Sequence, residues 1–207
     1  VHSIIGQEME KRMKSAKRIT IPQTRADNDR LEALLARVAR HDRDALAELY
    51  GCTRGAVYAA MLSYLKNVEE AQDAAQDAYL QIWENAHAYR ARGTPMAWIL
   101  TVARNLAKMR LRQRARIADL SEEEWQAVPA RAENVTAEER LLLQDSLAAL
   151  GEEERRVVLL HAAGAKHREI AQALELPLAT VLSKYRRAVK KLGAHMEGAQ
   201  NDDAENG

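Results

Sequence analysis

The sequence has no phenylalanine, and its aromatic side chains are three Trp and six Tyr among 207 residues. Its cores must therefore be assembled from Leu, Ala, Val, Ile and Met. A single cysteine, Cys52, excludes an internal disulfide and any zinc site built from several cysteines of one chain, and it fits a reducing, cytoplasmic setting. No run of about 18 apolar residues is present, so no segment reads as a membrane span. Residues 1–27 lack an apolar stretch of signal-peptide length and carry Lys11, Arg12, Lys14, Lys17 and Arg18 instead; a disordered basic tail or an overextended start is expected there. The histidines (His2, His41, His87, His161, His167 and His195) are scattered, and no phosphate-binding Gly loop exists. No metal, cofactor or enzymatic activity is expected.

What is abundant is Ala, Leu, Glu, Arg and Lys, all good helix formers. The net charge of +1 says little, but its distribution is informative. No acid occurs from Asn85 to Ala118, while Arg90, Arg92, Arg104, Lys108, Arg110, Arg112, Arg114 and Arg116 are basic. The sign then reverses through Asp119, Glu122, Glu123, Glu124, Glu133, Glu138 and Glu139. A second acid-free span, Pro177 to Met196, carries Lys184, Arg186, Arg187, Lys190 and Lys191. Two basic modules gripping one polyanion across an acidic joint account for this pattern, because Lys and Arg neutralise phosphates without regard to sequence. Two solvated helix faces are the plainer alternative.

Periodicity predicts helices throughout and strands nowhere, so the fold is read as all-α. Asp29 is expected to cap a helix to about Arg40 with Leu31, Leu34, Leu35 and Val38 on one stripe. Asp42 or Asp44 opens a second helix, with a break expected near Gly51–Gly55. Asn67 and Glu70 form a capping-box pattern for a helix to about Ala88 that buries Ala71, Ala74, Ala75, Ala78, Ile82 and Trp83. Thr94 and Pro95 start the next helix, whose apolar stripe is Trp98, Ile99, Val102, Leu106 and Met109. Residues 118–135, with a possible turn near Trp125, read as an acidic flexible linker. Thr136 and Glu139 open a helix to Leu150, followed by Glu152–Ala163, Lys166–Leu174 and Leu178–Leu192. Residues 197–207 are expected to form a disordered acidic tail.

The segment His167–Ala188 has helix-turn-helix spacing: Ile170 and small Ala171 inward, Leu176 plugging the turn, Val181 with Tyr185 or Ala188 anchoring the second helix. Thr180, Ser183, Lys184 and Arg187 then face outward, suited to phosphates and base edges of a major groove. Glu175 occupies the turn position where Gly is usual, so the left-handed dihedral is expected to be strained or absent.

With these residues together, the chain resembles the extracytoplasmic-function (ECF) sigma factors, group IV of the sigma-70 family, over roughly Arg30 to Met196. The match is carried by the run from Ala71 through Asp73, Ala74, Gln76, Asp77 and Leu80 to Trp83, by Trp98-Ile99-Leu100-Thr101-Val102-Ala103-Arg104-Asn105, and by Glu169-Ile170-Ala171 with Thr180-Val181-Leu182-Ser183-Lys184 and Arg187-Ala188. The resemblance implies region two at 28–117 and region four, the helix-turn-helix, at 136–196. It implies an alternative sigma factor that binds core RNA polymerase, through the largest-subunit coiled coil and the flap, and directs initiation at promoter DNA. Asp73, Gln76, Asp77, Leu80 and Trp83 would dock the polymerase. Tyr89, Arg92, Trp98, Arg104, Asn105, Lys108 and Arg112 would read and open the −10 element. His167, Arg168, Thr180, Leu182, Ser183, Lys184, Arg186 and Arg187 would read the −35 element. Leu182 stands where a Lys is frequent and Lys184 where Arg is, so readout there is expected to rest more on phosphates, Lys lacking the bidentate fork. An anti-sigma factor is the expected regulator, acting on two domains that otherwise move independently. The alternative is a stand-alone helix-turn-helix regulator, which leaves Asp73 to Asp77 and the acid-free helix unexplained.

Overall fold

The computed structural model describes residues 25–117 and 145–205, with side chains as far as His195. Every regular element among the described residues is helical: α1 (Arg25–Val38), α2 (Arg43–Leu65), α3 (Val68–Asn85) with a 3-10 turn at Ala86–Ala88, α4 (Pro95–Ile117), α5 (Glu152–Ala162), α6 (His167–Leu174) and α7 (Leu178–Glu205). The expected linker, residues 1–24 and the start of the helix before Leu150 lie outside the described residues, with only 145–148 of that helix described. The tail expected to be disordered from residue 197 is instead helical backbone as far as Glu205, because a helix already nucleated propagates residue by residue.

The local signals explain most boundaries. Asp42 caps α2 by accepting from the Ala45 amide at 3.0 Å, and Arg37 bonds the same carboxylate at 2.8 Å. Asn67 caps α3 through the Glu70 amide at 2.9 Å, but the Glu70 side chain turns away to pair with Arg114, so only half of the box forms. Asp29 is not a cap: α1 begins earlier and carries it as an exposed interior residue. The expected break near Gly51–Gly55 is also absent, and α2 runs unbroken for 23 residues. Glycine weakens a helix by under about 1 kcal/mol, less than the burial gained by Leu49, Ala56, Val57 and Met61 on either side.

That continuity makes α2 the axis of the molecule. Its C-terminal half, Ala59 to Leu65, is buried on all sides against α1, α3, α4 and α5. Two buried hydroxyls on it are bonded: Ser63 donates to the Ala60 carbonyl, and Thr53 bonds both the Leu49 carbonyl and the Tyr79 hydroxyl of α3.

The two halves are not independent in this structure. α5 packs on α2 and α6 on α4, and one apolar cluster runs from Leu31 to Ala188. Arg156 stacks 4.3 Å over the Tyr64 ring, and Lys66 pairs with Glu152 at 3.0 Å. The expectation of freely moving domains gives way to a closed arrangement.

Candidate nucleic-acid and docking interfaces

The acidic face of α3 follows directly from helical spacing. Ala71, Ala74, Ala78 and Ile82 are buried, which leaves Asp73, Gln76 and Leu80 outward. Leu80 is 61% exposed, an unusual state for so large an apolar side chain. Asp77 differs from its neighbours, because it is half-buried and paired with Arg110 of α4. Trp83 is half-buried with its ring 5.1 Å from His41. A groove runs beside this face between α3 and α4, lined by Glu70, Asp77, Leu106, Met109, Arg110 and Arg114. Met109 is 45% exposed in that groove rather than in the core.

The loop after α3 is built from the acid-free segment. Tyr89 donates its phenol to Glu32 at 3.0 Å, and its ring lies 5.4 Å from Trp98. Burial first, and the Glu32 carboxylate second, push that phenol up to about 12. The Gly93 amide donates to the same Glu32 oxygen at 2.8 Å, and Asn28 donates to the Gly93 carbonyl at 2.9 Å. Gly93 has φ +73°, a dihedral that a Cβ would oppose. Arg92 is exposed, whereas Trp98 is half-buried against the core and unavailable as an open stacking platform.

On α4 the predicted basic face splits. Asn105, Lys108 and Arg112 are exposed. Arg104 is only 6% exposed: it donates to the Ala173 carbonyl at 2.7 Å and to the Glu175 carboxylate at 2.8 Å. In this structure Arg104 is therefore committed to the end of α6 and cannot meet phosphate. The guanidinium holds the Glu175 carboxyl below the ordinary Glu range.

The helix-turn-helix forms as its spacing requires. Ile170, Ala171, Val181 and Ala188 are buried, and Leu176 fills the turn with its amide on the Ala171 carbonyl at 2.9 Å. Glu175 does adopt the left-handed conformation, φ 58° and ψ 40°, so the turn keeps its shape without glycine. Buried Glu169 caps α6 by accepting from the Lys166 amide, and burial raises its carboxyl.

The exposed members of the predicted duplex-reading set are Arg168, Ser183, Arg186 and Arg187, with Thr180 and Leu182 half-exposed. Two members sit elsewhere. His167 is stacked on His161 at 4.3 Å and against Tyr185 at 4.8 Å, where burial, then His161, lowers its pKa. Lys184 folds back to Glu153 at 2.6 Å, beside Lys191 on Glu154 at 2.7 Å. Acids in the first turn of α5 suit its positive end, and they also take the inner cations of α7. Sequence reasoning gave no sign of these pairings, nor of Asn28 and Glu32, because the partners lie far apart in the chain.

Comparison with known proteins matches the same elements. The Sigma-70 region 2 family model covers residues 49–117, and the Sigma-70 region 4 model covers 140–192. The chain is 30% identical over 171 residues to the ECF RNA polymerase sigma factor SigK of Mycobacterium tuberculosis H37Rv, covering 78% of this chain and 91% of that protein. It is 32% identical to SigK of Mycobacterium sp. KMS, covering 78% and 88%. Two solved structures share the fold. CnrH in complex with the cytosolic domain of CnrY has a TM-score of 0.59 at 22% identity, covering 82% of this chain and 98% of that one. The sigma factor RpoE in complex with the anti-sigma factor NepR, from Bartonella quintana, has a TM-score of 0.60 at 20% identity, covering 73% and 96%. With both family regions present in order and a relative aligned over most of its length, the chain belongs to the ECF family of RNA polymerase sigma factors.

Proposed function

We propose that this chain docks on core RNA polymerase through Asp73, Gln76 and Leu80, and opens −10 DNA with the loop 89–94 and the exposed Asn105, Lys108 and Arg112. Duplex −35 DNA is then read by α7 through Thr180, Ser183, Arg186 and Arg187, with Arg168 on phosphate. The observation that carries this reading is the exposure of Leu80 on the same outward face of α3 as Asp73 and Gln76, opposite the buried Ala71, Ala74, Ala78 and Ile82. An apolar side chain held in water beside a carboxylate suits a protein partner with basic and apolar groups. The exposed cations of α4 and α7 suit a polyanion.

The protein acts by binding and by strand separation, with no covalent chemistry of its own, in the compartment where the polymerase works. The structures of CnrH and RpoE were solved with partner proteins, the latter an anti-sigma factor. A comparable partner for this chain would cover the α3–α4 groove, which is lined by both charge signs and by Met109 and Leu106.

The test is promoter-dependent run-off transcription with sigma-free core polymerase, comparing wild type with Asp73→Ala/Leu80→Asp. Wild-type transcripts that are lost in the variant, together with its binding to core, support the docking face. Equal transcripts from both discard the face and keep the function. Duplex binding by the wild type without any association with core removes the sigma-factor reading.

A further inference from the structure

We infer that Glu32 of α1 is a positioning residue for promoter opening, acting through Tyr89 and Gly93 to hold the loop 89–94 in its strand-receiving shape. The inference rests on the −10 role proposed above for that loop, and α1 lies outside the segment matched to region 2, which starts at residue 49.

One carboxylate oxygen organises both ends of the loop. Glu32 Oε1 accepts from the Tyr89 hydroxyl at 3.0 Å and from the Gly93 amide at 2.8 Å. One turn earlier on the same face of α1, Asn28 donates to the Gly93 carbonyl at 2.9 Å. Both polar groups of the Gly93 residue are thereby fixed by α1, where the backbone takes its left-handed dihedral. The α1 side of these contacts is itself firmly placed, since Leu31, Leu34 and Leu35 between and beside the two residues are fully or almost fully buried. The raised Tyr89 phenol stays protonated across the working pH range, so it remains a donor to Glu32.

A loop that receives an unstacked base must present its backbone and ring in a fixed geometry before the base arrives. If it ordered only on binding, the ordering entropy would be subtracted from the stacking and hydrogen-bond gain. Two bonds to one carboxylate oxygen and one amide bond are a direct means of removing that cost. Neither Asn28 nor Glu32 needs to touch DNA.

The test uses the full chain with core polymerase and three variants: Glu32→Ala, Glu32→Gln and Tyr89→Phe. Three readouts are taken: association with core, permanganate reactivity of −10 thymines in duplex promoter, and affinity for single-stranded −10 oligonucleotides of matched and mismatched sequence. Glu32→Ala is expected to lower strand opening and matched-oligonucleotide affinity about tenfold, as two hydrogen bonds to the loop are lost, with core association unchanged. Glu32→Gln keeps an acceptor oxygen and is expected to retain most of both, whereas Tyr89→Phe keeps the ring, loses one bond and falls between them. Unchanged opening and discrimination in Glu32→Ala would overturn the inference while leaving the sigma activity intact. A Glu32→Gln variant as impaired as Glu32→Ala would also overturn it, since charge rather than the acceptor geometry would then matter. Absence of promoter-dependent opening by the wild type would instead remove the −10 reading itself. If Glu32→Ala fails to fold, the Gln and Phe variants still decide, because equal discrimination by Tyr89→Phe and wild type counts against coupling through the phenol.

Discussion

Replacing Arg104 by Ala should loosen the closed packing of α6 on α4. The guanidinium is 7% exposed and donates at 2.7 Å to the Ala173 carbonyl, which has no replacement donor once the side chain is gone. A hydrogen bond from a charged donor to a buried carbonyl contributes about 1.5–3 kcal/mol. The second contact, to Glu175, reaches a well-hydrated carboxylate and adds the smaller share, that of a surface ion pair. A loss of about 2 kcal/mol corresponds to roughly a thirtyfold shift toward separated halves. The assay is energy transfer between dyes on cysteines introduced at exposed Gln72 and Lys190 (Gln72→Cys, Lys190→Cys) in a Cys52→Ala background, followed through a urea titration. Arg104→Ala should move the separation midpoint to lower urea than the loss of α3 helicity. Glu175→Gly removes the ionic partner but gives the turn the residue its φ of 58° favours, so it should weaken closure without destabilising α6. A separation midpoint unmoved by Arg104→Ala would refute this account, as would strict additivity of the two substitutions, which share one contact.

The remaining predictions concern stability and pH. Gly51→Ala should stabilise the protein by about 0.5–1 kcal/mol in a thermal melt, since a methyl there meets nothing within 4 Å and α2 is continuous through it; a lower Tm would contradict the placement. Arg155→Ala should destabilise the C-terminal half by about 3 kcal/mol in urea, because the buried guanidinium bonds the carbonyls of Leu147, Ala148 and Leu150. Acid should open the halves: Lys66 first holds the Glu152 carboxyl below its ordinary 4.5, and Arg104 does the same for Glu175. A depressed folded pKa gives stability that is present above 4.5 and lost as pH falls through the lower folded value, so energy transfer should drop there; a flat profile to low pH would count against both pairs. Alkali should act on Tyr89, whose folded pKa of about 12 exceeds the unfolded 10, so its contribution is complete below pH 10 and declines as pH rises through 12. Tyr89→Phe should flatten that alkaline limb.

Much of the secondary structure was legible because it depends on neighbours along the chain. Asp42 and Asn67 cap helices as their positions require, and the stripe Leu31, Leu34, Leu35, Val38 is buried as its spacing demands. The alternation of buried alanines with Asp73, Gln76 and Leu80 on α3 is likewise a property of 3.6 residues per turn. Where local reasoning failed, a nearby signal was outweighed by packing. Gly51 and Gly55 suggested a break, yet helix on both sides is buried so thoroughly that continuation wins. Glu175 suggested a distorted turn, yet the Leu176 and Glu175 amides close it on Ala171 and Gln172, and the side chain finds Arg104.

The sequence alone therefore determined the helical class, the order of the two modules, the outward acidic face of α3 and the helix-turn-helix, because spacing and charge signs are local quantities. Only the tertiary structure decided which of those charges remain free. Arg104 is taken by groups 69 and 71 residues away, Lys184 by Glu153, and Glu32 reaches the loop across 57 and 61 residues. A periodic pattern states which side of a helix a group leaves from. What it meets there depends on how the helices pack, and that is fixed by the whole apolar surface at once.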